Sequence, residues 1–376
     1  MAVANKKLGI YIHWPYCSHI CPYCDFNIYR ARGRDNDGLL AAIIDEIRNW
    51  YSKTSGRKLH SLYFGGGTPS LIEPSKIAQI IELCNNLWGF EENPEICLEA
   101  NPNEYEKFQD FKIAGIERLS LGVQSFLDNG LKDLGRFHDA QQSIKSVEIA
   151  RKIMPRLSLD LIYARQNQSL EDWEFELNKA VSLGVDHVSP YQLTIEPNTA
   201  FDRKLKRGAI NIPDDDLGAQ FYEKTQEILN KHNFIAYEIS NHAKNINSMS
   251  RHNLLYWQSN DWLGIGPGAH GRLWKNGQRA AYFNSLKPDE YIKNINSKGN
   301  SLIEEETLTD EEIRQEYLIM GLRLESGIEY KNYNLDQENL KYLADLGLVE
   351  YNETRLKLLP KARTISNAVI AQIIEN

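Results

Sequence analysis

Short apolar runs rich in β-branched and aromatic residues alternate with longer amphipathic stretches over the first two thirds of the chain. The apolar runs predict strands at 8–14, 59–64, 95–100, 118–125, 156–163 and 187–195. The stretches between them predict helices at 37–51, 74–88, 104–113, 139–152 and 170–184. Buried strands that alternate with helices form parallel sheets covered by helices. The pattern therefore predicts an α/β protein, and six such units indicate a partial (β/α)6 TIM-like barrel.

The pattern changes beyond residue 200. A Pro- and Asp-rich break at 211–216 precedes a predicted helix at 217–232 and a strand-like segment at 236–243. Residues 244–272 are rich in Asn, Ser, Gly and aromatic residues, which predicts an ordered loop, and 299–307 is predicted to be a connector. We therefore divide the chain into a barrel (1–235), an extension (236–305) and a C-terminal module (306–376).

The C-terminal module begins with a helix-start signal. Thr309 is followed three residues later by Glu312, which is the spacing of a capping box and predicts a helix at 310–324. A second helix at 336–347, a hairpin and a terminal apolar helix complete an α+β, winged-helix-like module. Such modules often bind DNA, but this one lacks a basic recognition helix. We therefore expect it to give structural support or to contact a partner.

Composition and charge narrow the class of protein. The chain has 376 residues, 42% of them hydrophobic and 25% charged, and its net charge of −8 argues against a dedicated nucleic-acid-binding protein. No apolar run approaches the ~20 residues of a transmembrane helix, and residues 1–9 show no secretory signal. The five cysteines do not form a disulfide framework, and Cys84 and Cys97 lie in apolar core-like segments. We expect a cytoplasmic protein that does not span a membrane.

Cys17, Cys21 and Cys24 form a C-x3-C-x2-C cluster directly after the first predicted strand. Thiolates this close together can hold one metal centre. A zinc site would need a fourth ligand, for which His19 or Asp25 is available. An iron–sulfur cube accepts one thiolate at each iron, so three thiolates would leave one iron open to a small molecule. Three cysteines buried as small apolar side chains are the remaining alternative.

A glycine-rich turn, Gly65-Gly66-Gly67-Thr68-Pro69, lies between a predicted strand and a predicted helix. Glycines let the backbone approach a ligand closely and turn its N–H groups toward it. The turn lacks the Lys-Ser/Thr ending of a P-loop and the spacing of a dinucleotide fingerprint. The interpretations that remain are a ligand-binding turn of another kind and a tight turn without a ligand.

Polar residues lie at or beyond the ends of the third, fourth and fifth predicted strands. They are Glu99, Gln124, Arg136 and Asp160. A barrel collects its site residues at the carboxyl ends of its strands, so these side chains are candidates for one site. Glu99 is suited to accept hydrogen bonds from ribose hydroxyls, and a solvated or ion-paired carboxylate is its alternative role.

A second dense patch runs from His252 to Trp257 (H-N-L-L-Y-W) and is followed by a glycine-rich segment from Gly264 to Gly271. Histidine ligates haem iron, and neighbouring aromatic side chains suit a flat macrocycle. The alternative is a loop in which His and Asn satisfy backbone groups while Tyr and Trp pack beneath it.

Taken together, these motifs resemble the radical S-adenosylmethionine (SAM) superfamily, and within it the oxygen-independent coproporphyrinogen III oxidase group with its HemW-type haem chaperone branch. The resemblance extends from Tyr11 to the C-terminal module. It implies a [4Fe-4S] cluster on Cys17, Cys21 and Cys24, with SAM on the open iron and cleaved to a deoxyadenosyl radical after one-electron reduction. It also implies SAM contacts, by motif position, from Tyr11, Tyr23, Gly66, Gly67, Thr68, Glu99, Gln124, Arg136 and Asp160.

Two features separate the branches of this family. The resemblance implies that the oxidases carry a fourth cysteine two residues after the third, and this chain has Phe26 there. The H-N-x-x-Y-W motif is typical of the HemW-type branch and makes His252 the candidate haem ligand. The chain departs from the family at 164–168, where Ala-Arg-Gln-Asn-Gln replaces a Gly-Leu-Pro-Gly-Gln run. We expect the backbone to approach SAM less closely at that turn.

These features favour a haem-binding chaperone that carries a [4Fe-4S] cluster and SAM and delivers haem to membrane respiratory proteins. The alternative is an oxygen-independent coproporphyrinogen III oxidase, and a zinc-stabilised module is a third interpretation. The chaperone interpretation predicts haem or porphyrin as partner, no nucleic acid, and a cytoplasmic location peripheral to the inner membrane, and it allows a homodimer. The histidines that remain as alternative haem ligands are His13, His19, His242 and His270.

Overall fold

The computed structural model of the protein describes residues 6–275 and 277–375. Residues 1–5, on which the expectation of no secretory signal partly rests, lie outside this part. The strands are β1 (Leu8–Trp14), β2 (Tyr16–Cys17), β3 (Tyr29–Arg30), β4 (Leu59–Gly66), β5 (Phe90–Ala100), β6 (Arg118–Gln124), β7 (Arg156–Tyr163), β8 (His187–Gln192), β9 (Ile235–Ala236), β10 (His242–Ala243), β11 (Asp261–Ile265), β12 (His270–Lys275), β13 (Gln278–Asn284), β14 (Leu302–Thr307), β15 (Ile328–Glu329), β16 (Val349–Tyr351) and β17 (Arg355–Leu358).

The helices lie between these strands and cover them. They are α1 (Asn36–Thr54), α2 (Pro74–Leu87), α3 (Phe108–Ile113), α4 (Asp128–Asp133), α5 (Ala140–Ile153), α6 (Leu170–Ser182), α7 (Ala200–Lys206), α8 (Asp215–Lys231), α9 (Arg251–Trp257), α10 (Pro288–Lys298), α11 (Asp310–Gly321), α12 (Gln337–Asp345) and α13 (Ser366–Glu375). Across the described residues, no helix combines the length and the apolar character that a membrane span requires.

One large sheet dominates the molecule. Its twelve strands have the order β14-β13-β12-β11-β1-β4-β5-β6-β7-β8-β10-β9. The central strands from β11 to β8 run parallel, and the outer strands are antiparallel. In the described part of the chain β14 and β9 are the two ends of the sheet, so hydrogen bonding leaves it open. The predicted α/β class with a mostly parallel sheet is confirmed.

Local signals predicted most of the elements correctly. All six predicted strands of the first two thirds are present, and β1 and β7 have the predicted bounds. Capping boxes begin α5, α6 and α11, including the predicted pair of Thr309 and Glu312. Each box satisfies two backbone N–H groups that the helix leaves unpaired, and it needs only residues three apart. Helix starts were therefore predictable at these boxes, although the helices α4, α7, α9 and α10 were not predicted.

The predicted loop at 244–272 is wrong. It contains α9, β11 and part of β12, and β11 pairs in parallel with β1, with Leu8 opposite Asp261. A Cβ atom at Gly264 would collide with the carbonyl oxygen of His270 on the neighbouring strand. That glycine therefore allows two backbones to approach each other inside a sheet and does not mark a loop.

Two smaller predictions are also wrong. The connector predicted at 299–307 contains β14, whose glutamate-rich sequence forms an exposed edge of the sheet. Charged side chains on an edge strand oppose pairing with a further chain, which explains a polar sequence in a strand. The strand-like segment at 236–243 is strand only at its ends, where β9 and β10 pair. The residues between them turn.

The C-terminal module has a core of its own. Its helices α11, α12 and α13 pack on an antiparallel sheet of order β15-β17-β16, so the predicted sequence of helix, helix, hairpin and terminal helix is confirmed. Glu316 of α11 accepts hydrogen bonds from Arg272 at 2.7 Å and from Arg279 at 2.9 Å. These two arginines lie on β12 and β13, so the ion pairs join the module to the central sheet.

A buried charge cluster lies at the amino end of the parallel strands. The carboxylate of Glu95 on β5 is 2.8 Å from Arg156 and 3.5 Å from Arg118, and it is fully buried. It also accepts hydrogen bonds from the backbone N–H groups of Arg251 and His252 in the first turn of α9. Burial alone would raise the pKa of Glu95, but the two guanidinium groups and the two N–H groups lower it to about 2.

We expect Glu95→Ala to lower the free energy of unfolding by about 3–5 kcal/mol, because Arg118 would remain buried without a carboxylate partner. Glu92→Ala, at an exposed position of the same strand, is the matched control and should change it by less than about 0.5 kcal/mol. Denaturant unfolding followed by circular dichroism measures both values. Similar losses in the two variants would contradict the role of the cluster.

The same carboxylate makes stability depend on pH. Because the folded-state pKa of Glu95 lies below its usual value, its contribution is complete above about pH 4.5 and is lost as the pH falls toward 2. The difference in unfolding free energy between wild type and Glu95→Ala should therefore shrink over this range.

Candidate cofactor site at the carboxyl ends of the strands

A cavity of about 420 Å³ opens at the carboxyl ends of the parallel strands. This volume lies within the range of small-molecule pockets. All predicted site residues except Tyr11 and His252 line it. They are Cys17, Cys21, Cys24, Tyr23, Gly66, Gly67, Thr68, Glu99, Gln124, Arg136 and Asp160. Residues that are more than a hundred positions apart in the chain therefore meet in one place.

The cysteine loop leaves β1 and is closed at its base. The short strands β2 and β3 pair there, and the N–H of Ala31 donates to the carbonyl of Cys17 at 2.8 Å. Burial raises the pKa of the Cys17 thiol, and it raises that of Cys24 to about 12. Near neutral pH these thiols hold their protons, so a metal centre would displace protons when it binds.

The arrangement of the thiols favours a cluster over a single ion. In residues 6–275 and 277–375, no three His, Cys, Asp or Glu side chains converge on one point as one metal ion requires. A zinc ion needs sulfur ligands about 2.3 Å from one centre, whereas a cube offers a separate iron to each thiolate. The three thiols line the same cavity. A set of three thiols in one cavity fits the donors that an iron–sulfur cube takes.

The N–H groups of the glycine turn already have acceptors within the protein, and their contact with a ligand stays a prediction. The N–H groups of Gly66, Gly67 and Thr68 all donate within the protein. Their acceptors are the Glu99 carboxylate, the Trp14 carbonyl and the Tyr16 carbonyl, respectively. Two of these bonds hold the chain just before Cys17. The turn therefore fixes the start of the cysteine loop.

Close packing explains why glycine occupies position 67. A Cβ atom there would lie 2.9 Å from the sulfur of Cys17 and 2.9 Å from the carbonyl oxygen of Tyr16. The side chain of Thr68 forms a hydrogen bond with Cys17 that opposes the rise of the thiol pKa. The turn thus leaves room for the sulfur atom and donates to it.

Two carboxyl groups face the cavity opposite the thiols. Glu99 accepts hydrogen bonds from the Tyr63 hydroxyl at 2.9 Å and from the Gly66 N–H at 3.2 Å. Burial, followed by the charge of Asp160, raises the pKa of Glu99 to about 7. Burial also raises the pKa of Asp160 to about 6, and Ser120 donates to it at 3.1 Å. Both groups are acceptors for ligand hydroxyls when ionised.

A buried guanidinium lies beside the cysteine loop. Nη1 of Arg136 is 3.4 Å from the sulfur of Cys21 and 3.5 Å from the hydroxyl of Tyr23, and Nη2 is 2.5 Å from the side-chain oxygen of Asn101. Its positive charge favours thiolate sulfur. Gln124 ends β6 with a φ of 67°, which turns the strand at the cavity wall.

Tyr11 and His252 lie behind the cavity wall. The Tyr11 hydroxyl is 3.1 Å from Nδ1 of His13. His252 is buried, and its ring nitrogens are 2.7 Å from the Ser61 hydroxyl and 2.6 Å from the Tyr256 hydroxyl. Burial lowers the pKa of His252 to about 3, so the ring is neutral. A haem-ligand role for His252 stays a prediction, and it would require one of these hydrogen bonds to break.

The turn at 164–168, which departs from the family pattern, does not line the cavity. Ala164 and Asn167 both have a φ of 57°, which lies in the left-handed region that glycine adopts most readily. Arg165 forms a buried ion pair with Glu176 at 2.6 Å and donates to the Ile162 carbonyl. These side-chain bonds hold a backbone path that glycines would otherwise favour.

Several cavity residues were missed at the sequence level. They are Tyr63, Asn101, Arg118, Ser120, Ser189, Tyr191 and Asn241. The strand sequences carried a signal, because polar residues alternate with leucines in RLSLGVQ of β6 and RLSLDLIY of β7. Period-two alternation places the polar set on one face of the sheet, which here is the cavity face.

Residues 11–180 match the family model of the radical SAM superfamily. The chain is 37% identical over 336 residues to radical S-adenosyl methionine domain-containing protein 1, mitochondrial, of Danio rerio, which covers 88% of this chain and 76% of that protein. It is 34% identical over 377 residues to heme chaperone HemW of Bacillus subtilis, which covers 97% and 98%. Coproporphyrinogen III oxidase (HemN) from Escherichia coli, a radical SAM enzyme, superposes with a TM-score of 0.82 at 22% identity over 98% of this chain and 90% of that one.

The fold and the three-thiol cavity are those of a radical SAM protein. The chain is more than 30% identical to HemW over nearly its full length. It therefore belongs to the HemW-type family of the radical SAM superfamily. Membership in this superfamily implies a [4Fe-4S] cluster and SAM. The likeness to HemN shows the shared fold.

Removal of one cavity thiol should abolish cluster assembly. We expect Cys24→Ala, after anaerobic reconstitution, to lose the iron and acid-labile sulfide of wild type, because two thiolates hold a cube poorly. Cys84→Ala is the matched control, since Cys84 is buried in the core away from the cavity, and it should retain the full content. Iron and sulfide analysis measures both. If Cys24→Ala retained the full iron and sulfide content, Cys24 would not be a ligand of the cluster.

Proposed function

We propose that the protein is a haem chaperone that also holds a [4Fe-4S] cluster and SAM, and that it delivers haem to membrane respiratory proteins. Its similarity to heme chaperone HemW of Bacillus subtilis over nearly both full chains supports this. The observation that carries the proposal is Phe26, which lines the cavity mouth with 60% of its surface exposed. The oxidase branch is expected to have a fourth thiol at this position, and a phenyl ring offers no ligand or proton.

In this proposal Cys17, Cys21 and Cys24 hold the cluster. When bound, the cluster supplies SAM with the electron that cleaves it in this superfamily. Arg136 offsets negative charge at the sulfur of Cys21, and Thr68 donates to that of Cys17. The protein thus stabilises the charge of a thiolate-bound cluster with a guanidinium and a hydroxyl that are already in place.

The remaining predicted residues would hold SAM. The carboxylates of Glu99 and Asp160 would accept hydrogen bonds from the ribose hydroxyls of SAM. Tyr23 and Gln124 line the same cavity. Gly66 and Gly67 would let the ligand approach the backbone closely. Tyr11 would act from behind the wall, where its ring lies 6.1 Å from that of Tyr63.

Delivery to membrane proteins would bring the protein to the cytoplasmic face of the inner membrane. The proposal assigns most of the cavity to residues 1–235. Residues 236–305 extend the sheet and add Asn241, Ser250 and Asn253 to the cavity lining, while 306–376 is available for partner contact. A homodimer is compatible with this arrangement.

The affinity for SAM should rise as the pH increases from about 6 to about 8. The pKa of Glu99 is raised to about 7, and only its ionised form accepts hydrogen bonds from both ribose hydroxyls. Glu99→Gln keeps the shape and removes the charge. We expect it to bind SAM more weakly and to lose the part of the pH dependence that Glu99 causes.

Equilibrium dialysis with the reconstituted protein measures SAM binding at each pH. The profile of Glu99→Gln retains the titration of SAM itself and of Asp160, so the difference between the two profiles reports Glu99. Parallel profiles would show that this carboxyl group does not contact the ligand.

Haem binding and porphyrinogen oxidation should be measured on the same anaerobically reconstituted sample. We expect a Soret shift on titration with ferric haem. We expect no protoporphyrinogen from coproporphyrinogen III, SAM and a reductant, because Phe26 replaces the additional thiol of the oxidases. Turnover without a Soret shift would reverse the assignment in favour of the oxidase.

A further inference from the structure

Exposed aromatic side chains lie at the mouth of the cavity. Phe137 is 74% exposed and Phe26 is 60% exposed, and both line the opening. The imidazole of His19 stands edge-on to Phe137, with 4.1 Å between ring centroids. A shallow groove continues past His19 and Phe137 toward Leu131. We call Phe26, Phe137 and His19 the aromatic rim.

His19 differs from most histidines of the chain in having free ring nitrogens. Among the described residues, only His19 and His270 form no hydrogen bond through the ring. The others bond to neighbouring groups: His13, His60, His138, His187, His232, His242 and His252. His270 is stacked on Phe283 and does not line the cavity. Among the described residues, His19 is therefore the one cavity-lining histidine whose two ring nitrogens both lack a hydrogen bond. His138 also lines the cavity, but it is buried and bonds through Nε2 to the Val123 carbonyl.

The charges around the aromatic rim suit an anionic ligand. Arg30 and Lys132 are exposed, and in the described part of the chain the side chain of neither forms a hydrogen bond or an ion pair. The charge of Arg30 acts on the His19 imidazole, and Lys132 lines the groove beside it. The nearby carboxylates of Asp128 and Asp139 accept backbone N–H groups at 2.8 Å and 2.7 Å, respectively. Their negative charge is therefore partly compensated.

The deep cavity is less suited to an anionic ligand than the aromatic rim is. Its inner wall carries the carboxyl groups of Glu99 and Asp160, which repel carboxylates when ionised. The proposed function also assigns this cavity to SAM. A flat, apolar macrocycle with two carboxylates is better accommodated at the rim, where phenyl rings and unpaired cations lie together.

We propose that haem docks on the aromatic rim, with His19 as an axial ligand of the iron, Phe26 and Phe137 against the macrocycle, and the propionates directed toward Arg30 and Lys132. This inference rests on the proposed haem chaperone function and assigns its binding site. It places the haem at the entrance of the cofactor cavity. It also replaces the buried His252 with a histidine that solvent and a ligand can reach.

The test uses the reconstituted full chain titrated with ferric haem. We expect His19→Gly to weaken binding about tenfold or more and to change the Soret spectrum, and we expect added imidazole to restore that spectrum. Phe137→Ala should weaken binding about tenfold with an unchanged spectrum, because it removes ring contact and leaves the ligand in place. The matched controls are His270→Gly and Phe175→Ala, each an exposed residue outside the cavity lining, and both should bind as wild type.

The outcomes separate the site from the function. A wild type that does not bind haem overturns the proposed function. A wild type that binds haem, with His19→Gly and Phe137→Ala unchanged in affinity and spectrum, overturns the rim as the site and leaves the function intact. A loss of haem binding in His270→Gly would also overturn the aromatic rim as the haem site. Iron and sulfide analysis accompanies each titration, and Phe137→Ala decides the question if His19→Gly disturbs the cluster, because Phe137 lies outside the cysteine loop.

Discussion

The buried charge cluster around Glu95 is the interaction on which the geometry of the site depends. Its carboxylate joins two arginines from β6 and β7 and holds the first turn of α9 against the sheet. Glu99 lies four residues further along β5, about 13 Å away on the same face of the strand. One strand therefore carries a structural charge at its amino end and a cavity carboxylate at its carboxyl end. Because Glu95 fixes the amino end of β5, it also orients Glu99 at the carboxyl end.

The opposite wall of the cavity depends on backbone hydrogen bonds between two loops. The glycine turn donates to the chain before Cys17, and its missing side chain leaves space for the sulfur. The thiols are thus positioned by residues that need not contact a ligand themselves. Arg136 then supplies positive charge at the sulfur of Cys21. Thr68 donates a hydrogen bond to the sulfur of Cys17, whose pKa burial raises. The backbone of the glycine turn thus sets the position of the thiols, while the side chains of Arg136 and Thr68 set the electrostatic environment of their sulfur atoms.

Access distinguishes the histidines of this chain more than their sequence context does. The H-N-x-x-Y-W motif looks like a ligand site as a sequence, yet in the structure His252 is a buried ring whose two nitrogens are both occupied. Its ring packs 4.9 Å from that of Tyr63, whose hydroxyl holds Glu99. The motif therefore supports the cavity from behind. His19, within the cysteine loop, is the cavity-lining histidine of the described chain whose two ring nitrogens both lack a hydrogen bond.

The sequence by itself determined what depends on near neighbours in the chain: the strand and helix periods, the capping boxes, the spacing of Cys17, Cys21 and Cys24, and the family that this spacing indicates. It also indicated that polar residues at the strand ends would share one site, because the carboxyl ends of parallel strands must meet at one edge. Only the tertiary structure decided which groups were already occupied. The N–H groups of the glycine turn, the nitrogens of His252 and the pairing of β11 with β1 depend on distant partners, and the hydrogen-bonding capacity of a residue does not reveal which partner burial will bring to it.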